Sequence, residues 1–152
     1  MLAGCGGGAE TAREQVVRGT GYRFSAPGAW RVTRAATTVE VADGLQLVSV
    51  ERYPLIRRYR QALWSRVVPE LDRAAAGVAR QQEGRVSSSR TITVAGDRAR
   101  SYDVAYRHDG KSLVERITFV LRGKTEYYLL CRYESEGDTG ACERLLATFT
   151  LA

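Results

Sequence analysis

The sequence predicts an α+β domain built on a single antiparallel β-sheet flanked by helices. Short segments in which apolar and polar residues alternate, separated by glycine-containing turns, occur in both halves of the chain and indicate strands. One long stretch between them repeats apolar residues every three or four positions, as an amphipathic helix does. The chain has 152 residues, of which 44% are hydrophobic and 26% charged, and this suits one globular domain.

The first half contains several strand patterns. Residues 21–25 alternate and run into an Ala-Pro-Gly turn at residues 26–28, after which a further extended segment begins. Residues 37–50 predict a hairpin, because Asp43 and Gly44 between its two β-branched runs tolerate the positive φ of a tight turn. These segments would form the first part of the sheet.

Residues 55–82 predict the long helix. Pro69 lies within it, and since proline costs about 3 kcal/mol inside a helix, we expect a kink or two helices that meet at residues 68–69. Glu83 and Gly84 end the pattern. The apolar stripe expected to pack on the sheet consists of Leu63, Trp64, Val67, Leu71, Ala75 and Val78.

The second half predicts a four-stranded antiparallel meander and then a short helix. Glycines beside polar residues mark the turns, and apolar alternation marks the strands. After a polar loop, the short helix carries Leu145 and Leu146, and residues 149–151 close the chain. The strands are expected at residues 91–94, 102–106, 113–121 and 127–133, with turns at 96–97, 109–110 and 122–124.

The N-terminus resembles an export signal that has been cut short. Residues 2–5, Leu-Ala-Gly-Cys, are similar to the lipobox of bacterial lipoproteins, in which the cysteine is lipidated. The charged and apolar regions that precede a lipobox are missing here, so we expect them upstream of Met1; the alternative is a cytosolic N-terminus with a chance cysteine. Residues 1–18 would be the truncated signal and a flexible tether, and 19–152 the domain. The prediction is an extracytoplasmic protein of the cell envelope, anchored to the membrane by lipidated Cys5.

The positive charge does not indicate nucleic-acid binding. The net charge is +6 and the pI about 9.5, but the basic residues are spread along the chain among acidic ones. Lys111 and Lys124 are the only lysines, and an arginine excess of this kind is typical of GC-rich codon usage. We therefore predict no nucleic-acid partner.

The remaining cysteines and the single histidine predict neither metal nor catalytic chemistry. Cys131 and Cys142 would form a disulfide between the last strand of the meander and the final helix, or remain two buried thiols if the protein is not exported. His108 lies at a hairpin tip, and the sequence contains no Gly-x-Ser-x-Gly elbow and no nucleotide-binding glycine pattern. We expect no metal, no cofactor and no catalytic residue.

The densest basic and aromatic run lies at residues 52–60. Its arginines, Arg52, Arg57, Arg58 and Arg60, would contact an anionic surface such as lipid headgroups or cell-wall polymers. The alternative is an exposed helix start whose arginine stems pack on the sheet. Aromatic residues elsewhere would line a pocket or, more often at such periodic positions, form core; they are Tyr22, Trp30, Tyr59 and Trp64.

The order of elements resembles the PsbP-like fold, named for an extrinsic subunit of photosystem II. The most specific residues are Tyr22-x-Phe24-x-x-Pro27-x-x-Trp30, similar to the opening motif of its small bacterial members. Gly96, the strand at residues 127–129 and the segment 142–149 also fit, so the resemblance covers residues 19–151. It implies an α/β/α sandwich, a binding or scaffolding role without catalysis, and lipidation in many bacterial members. A shared fold does not transfer a ligand.

The predicted function is therefore an envelope-anchored lipoprotein domain that binds a partner protein or a small ligand and is not an enzyme. One alternative is a soluble hydrolase-like enzyme that uses a carboxylate pair we cannot place in the sequence. Another is a structural, wall-associated module. An enzyme would show a concave site with carboxyl groups of raised pKa, whereas a structural module would show neither a pocket nor an apolar patch.

Overall fold

The structure is a computed structural model that describes residues 13–152, and within them it contains nine strands and two helices. The lipobox and Cys5 lie outside the described residues. The strands of the first half are β1 (Glu14–Gly19), β2 (Tyr22–Pro27), β3 (Arg31–Arg34), β4 (Thr38–Asp43) and β5 (Gln46–Tyr59). The later elements are α1 (Trp64–Gln81), β6 (Arg85–Val94), β7 (Asp97–His108), β8 (Lys111–Glu134), α2 (Gly140–Thr148) and β9 (Thr150–Leu151).

The strands form two antiparallel sheets, so the prediction of a single sheet in an α/β/α sandwich was wrong. The larger sheet has six strands in the order β3-β4-β5-β8-β7-β6, and the smaller has three in the order β1-β2-β9. Alternation shows that a segment is a strand but not which partners it pairs with. The smaller sheet and α2 cover one face of the larger sheet, while α1 covers the other.

The smaller sheet starts within the segment that we assigned to the tether. Residues 14–18 belong to β1, which pairs with β2 along its whole length, so the tether prediction was wrong for them. The ladder gives their backbone groups partners, and Val17 is buried in the core. The folded domain therefore includes Arg18, which the functional site described below uses.

Strand β8 runs without a break through the turn that we predicted at residues 122–124. Its first half pairs with β7 and its second half with β5. Gly123 adopts a φ of +58° inside the strand, where the register with β5 shifts. The shift sets five residue steps of β5 against two of β8, and an odd difference of this kind reverses which side chains face which side. Accordingly, Leu121 points toward α1, whereas Tyr127 and Leu129 point toward the smaller sheet.

Helix α1 is shorter than predicted at its start. Residues 55–59 continue β5, and a 3-10 turn at Gln61–Leu63 leads into the helix. Pro69 lies inside one helix, so the alternative of two helices was wrong. The predicted stripe does pack on the larger sheet: Leu71 and Ala75 are buried, and Val67 packs beside them. Neither helix of the described residues is long and apolar enough to cross a membrane.

Helix α2 carries the predicted Leu145 and Leu146 and packs against β2 and β8. The structure joins Cys131 on β8 to Cys142 in the first turn of α2 by a disulfide, with 5.4 Å between the Cα atoms. Phe149 follows the helix and fills the core between the two sheets. The disulfide and the buried apolar residues together fix this short helix on the sheet.

Candidate functional site

A cavity of about 330 Å³ opens where the turn between β1 and β2 meets the loop between β3 and β4. We call it the arginine pocket, because three arginines from three different strands line it. The loop contributes alanines and threonines, and β5 contributes one residue. Its lining residues are Arg18, Gly19, Thr20, Tyr22, Arg34, Ala35, Ala36, Thr37, Thr38, Val39 and Arg52.

Glycine at position 19 allows the tight packing at one side of the pocket. Gly19 pairs with Tyr22 across a two-residue turn, in which Gly21 has a φ of +81°. A Cβ atom on Gly19 would lie 2.0 Å from the Tyr22 ring, so no other residue fits there. The turn thus closes one side of the pocket with the Tyr22 ring, and the exposed Arg18 precedes it in the lining.

Tyr22 forms the floor of the pocket. Its side chain is only 3% exposed, and its ring contacts Tyr127 and Phe149 with centroids 6.0 and 5.7 Å away. Burial raises the pKa of the phenol, while the positive charges of Arg34 and Arg52 act against this rise. Both guanidinium groups therefore lie close enough to the phenol oxygen to act on a charge there.

Backbone hydrogen bonds hold the β3–β4 loop over β5. The amide of Ala35 donates to the carbonyl of Thr38 at 2.9 Å, and the amide of Arg52 donates to the carbonyl of Thr37 at 3.0 Å. The Arg34 guanidinium donates to the backbone carbonyl of Arg18 and so links the larger sheet to the smaller one. The pocket walls are therefore fixed by the fold.

Arg52 has an unsatisfied polar atom. Its Nε is buried, and no hydrogen-bond acceptor among the described residues reaches it. The guanidinium carbon lies 5.9 Å from the centroid of the Tyr127 ring, which is cation–π distance. Leaving a buried charged donor without an acceptor is costly, and such groups often mark a place where a ligand supplies the partner.

The pocket has a positive charge that its own walls do not balance. No aspartate or glutamate is among its lining residues, and within residues 13–152 none of its three arginines forms an ion pair. Arginine is the residue best suited to carboxylate and phosphate groups, since its planar fork donates two parallel hydrogen bonds. The threonine hydroxyls of the lining add further donors. The arrangement suits a small anion.

Two other cavities are larger and more open to solvent. One, of about 470 Å³, is lined by Arg31, Glu40 and Asp43, and the other, of about 650 Å³, lies between the turn that follows α1 and the β7–β8 hairpin. Burial raises the pKa of the Glu126 carboxyl group, but Glu126 lines neither of these cavities nor the arginine pocket. No cluster of potential metal ligands occurs in the described part of the chain.

The structure separates the four arginines that we predicted to act together. Arg52 lies in the arginine pocket, whereas Arg57, Arg58 and Arg60 are exposed at the far end of β5. Tyr22 was named as a pocket or core aromatic, and it is core with one edge at the pocket. The aromatics Trp30, Tyr59 and Trp64 are buried or partly buried in the two cores.

Sequence reasoning missed Arg18 and Arg34. Arg18 was placed in the tether and Arg34 in an unremarkable segment, and each is separated by many residues from Arg52. Only pairing of the strands brings them together. The one local signal was the Arg-Gly-Thr-Gly-Tyr sequence at residues 18–22, which is typical of a tight turn that begins with a cation.

No protein-family model matches the sequence, and no curated protein matches it either. Several solved structures resemble it. A protein from Bacteroides thetaiotaomicron VPI-5482 aligns with a TM-score of 0.66 at 8% identity, over 93% of this chain and 48% of that one. Cyanobacterial PsbP (CyanoP) from Synechocystis sp. PCC 6803 aligns with a TM-score of 0.64 at 13% identity, over 99% of both chains.

This chain has the PsbP-like fold. A further structural neighbour is LpqN of Mycobacterium tuberculosis, involved in cell envelope biogenesis, with a TM-score of 0.52 and 11% identity over 92% of this chain and 91% of LpqN. The chain spans about half the length of the Bacteroides protein. The predicted resemblance to the PsbP-like fold is confirmed, while identities this low show the fold alone.

Proposed function

We propose that this chain is an extracytoplasmic, non-catalytic binding domain that holds a small anionic ligand in the arginine pocket. The observation that carries the proposal is the convergence of Arg18, Arg34 and Arg52 on one cavity whose lining contains no carboxylate. Like charges held together by a fold favour an anion that neutralises them. A membrane anchor on Cys5 would keep the domain at the envelope surface.

The chemistry of the lining favours binding over catalysis. Arginine remains protonated in proteins, so none of the three guanidinium groups can act as a general base. Burial raises the pKa of the Tyr22 phenol, which therefore stays protonated at neutral pH. The other lining side chains are alanine, valine and threonine. The pocket can orient an anion and donate hydrogen bonds to it, but it holds no group that would accept a proton.

The size of the pocket limits the ligand. Ligand cavities usually range from about 300 to 1,000 Å³, and about 330 Å³ lies at the small end. A phosphate or carboxylate group attached to a small organic body fits this volume. Two source classes share that chemistry, a phosphorylated metabolite and a carboxylated one, and the experiment below separates them.

Three observations support an envelope location. The lipobox-like residues 2–5 precede a short segment that leads into β1. The Cys131–Cys142 disulfide suits an oxidising compartment. Among the structures with the same fold, LpqN is involved in cell envelope biogenesis.

Metabolic labelling with a radiolabelled fatty acid tests the anchor: wild-type protein should be labelled and Cys5→Ser should not, and an unlabelled wild type would contradict it.

NMR titration with inorganic phosphate and, separately, with acetate tests the pocket. We expect the amides of residues 18–22, 34–39 and 52 to shift, with the stronger response identifying the preferred group. Arg34→Gln and Arg52→Gln should each weaken binding about tenfold, since a hydrogen bond to a charged group contributes roughly 1.5–3 kcal/mol.

Arg73→Gln is the matched control, because it removes the same charge from a residue outside the pocket. Arg73 is exposed on α1, far in sequence from the pocket residues. If Arg73→Gln weakens binding as much as Arg34→Gln, the anion responds to overall charge and the pocket proposal is wrong. Shifts spread evenly over the basic residues of the domain would contradict it in the same way.

A further inference from the structure

The far end of β5 projects from the sheet as an irregular bulge. Pro54 pairs with Thr125 and Tyr59 with Gly123, so five steps along β5 match two along β8. Residues 55–58 therefore have no partner in the ladder, and we call them the β5 bulge. A bulge re-aims side chains and is often found beside functional sites.

Ile56 stands at the outside of the bulge. Its side chain is 95% exposed, which is the extreme value among the large hydrophobic residues described. Leu55 packs in the opposite direction, against the core under α1. The ammonium group of Lys124 donates to the carbonyl of Ile56 at 3.1 Å, which holds the bulge backbone and brings a cation beside it. The isoleucine is thus presented to solvent by a fixed backbone.

Three arginines follow this isoleucine closely in the chain, and Lys124 contacts its backbone from β8. Arg57, Arg58, Arg60 and Lys124 are exposed, and none of them forms an ion pair with the described residues. Asp97, which is close enough to Tyr59 to act on its phenol, is already paired with Arg122. Glu51 and Glu126 lie beyond the other end of the segment, beside Tyr53. The bulge itself contains no acidic residue.

We propose that the β5 bulge docks on an anionic lipid bilayer, with Ile56 inserted among the headgroups and the four cations on lipid phosphates. Exposed aliphatic side chains next to arginine and lysine are the combination that anionic bilayers bind. An acidic protein fits less well, because a stable protein interface buries about 800 Å² on each partner around an apolar core. The bulge is convex and offers one aliphatic side chain, for which a fluid bilayer needs no preformed cavity.

This docking is independent of the lipid anchor and of the arginine pocket, which lies at a different part of β5. The test therefore uses the full chain carrying Cys5→Ser, so that no acyl chain contributes. Co-sedimentation is measured with vesicles of phosphatidylcholine alone and with vesicles of phosphatidylcholine and phosphatidylglycerol in equal parts. We expect binding to the mixed vesicles, weakened by salt, and none to phosphatidylcholine alone.

Two variants on that background examine the two parts of the proposal. Ile56→Ser should weaken binding to the mixed vesicles about tenfold, because the buried aliphatic surface is lost. Arg57→Glu with Arg58→Glu should weaken it at least about twentyfold, since each cation near an anionic surface contributes roughly a factor of five. Arg34→Gln, in the arginine pocket, should leave vesicle binding unchanged, which separates this proposal from the previous one.

The matched controls are Val16→Ser, an exposed aliphatic residue on β1, and Arg73→Glu with Arg80→Glu on α1. Both controls should bind the mixed vesicles nearly as well as the parent. Equal loss in the α1 double variant would mean attraction by net charge, and unchanged binding of Ile56→Ser would mean no insertion; either result overturns the proposal. Failure of the parent to bind the mixed vesicles, with retention on an acidic protein instead, would also overturn it.

Discussion

The two faces of the six-stranded sheet are closed in different ways. One face packs against the three-stranded sheet and α2, with large aromatic residues such as Tyr22 and Phe149 and a disulfide at its edge. The other packs against α1, whose buried residues are small apart from Leu71, and it holds the buried carboxyl group of Glu115. A face that buries less apolar area and contains a buried charge should open more easily. The face that α1 covers is therefore expected to lose hydrogen-exchange protection first in the protein with its disulfide intact.

The largest expected effect comes from making a cavity on each face. Leu145→Ala on α2 and Leu71→Ala on α1 remove the same atoms from buried positions, and each should lower the free energy of unfolding by about 2–5 kcal/mol. We expect Leu145→Ala to cost more, since the disulfide and the aromatic cluster prevent α2 from moving into the space. Chemical denaturation of both variants measures this, and a greater loss for Leu71→Ala would reverse the proposed order of the faces.

Removing the disulfide should weaken only the face that α2 covers. The two cysteines are 11 residues apart, and closing a loop of this size contributes about 3 kcal/mol in the chain-entropy model. Reduction, or Cys131→Ala with Cys142→Ala, should lower the unfolding midpoint and release exchange protection in α2 before α1. Cys5→Ser is the control and should leave the midpoint unchanged. Mass spectrometry of alkylated, unreduced protein checks the bond: two modified thiols at these positions would rule it out.

Hydrogen bonds from tyrosines distinguish deep from shallow polar contacts on the α1 face. The hydroxyl of Tyr106 donates to buried Glu115 at 2.8 Å, whereas that of Tyr102 donates to Asp72, whose side chain is 46% exposed. Tyr106→Phe should cost about 1–2 kcal/mol because it leaves a buried carboxylate with fewer donors, and Tyr102→Phe should cost less than about 1 kcal/mol. If thermal denaturation shows equal losses, the burial of Glu115 does not matter for stability.

The smallest effect is a gain, and it depends on pH. Burial raises the pKa of Glu126 above its ordinary value, so folding favours the protonated form, and the carboxyl group contributes less stability as pH rises through the folded-state pKa. At neutral pH the ionised group destabilises the folded state, and Glu126→Gln should raise the free energy of unfolding by less than about 1 kcal/mol. Below about pH 4 the variant and the parent should converge, because the carboxyl group is protonated in both states. A constant difference across this range would contradict the assignment.

Local sequence patterns predicted most elements but misassigned two segments. One is the region around Gly123, and the other is the end of β5. The hairpin at residues 37–50 and the short helix with Leu145 and Leu146 are confirmed. Gly123 was taken for a turn, and a positive-φ glycine serves a bulge inside a strand equally well. Leu55, Tyr59 and Leu63 are four residues apart, so they mimic a helical stripe although the first two belong to β5.

Long-range pairing was beyond the reach of those patterns. The alternation in residues 21–25 identified β2, but its partner β9 lies at the other end of the chain, and this pairing is what creates a second sheet. The arginine pocket depends on the same kind of information. Arg52 stood out in the sequence because other arginines follow it, whereas Arg18 and Arg34 become functional candidates only once their strands are placed.

The bulge at Gly123 makes strand β8 intolerant of changes in length. Odd-numbered residues of β8 face α1 up to Leu121 and face the smaller sheet from Tyr127 onward, and the irregular pairing with β5 lies between these two halves. Deleting Gly123 would turn Tyr127, Leu129 and Cys131 toward α1 and move the Cys131 sulfur away from Cys142. A natural insertion or deletion is therefore expected in the hairpin tip at residues 109–110, where no core residue changes side, and not along β8. Among homologous sequences, the length of β8 should therefore be kept more strictly than the identity of its exposed residues.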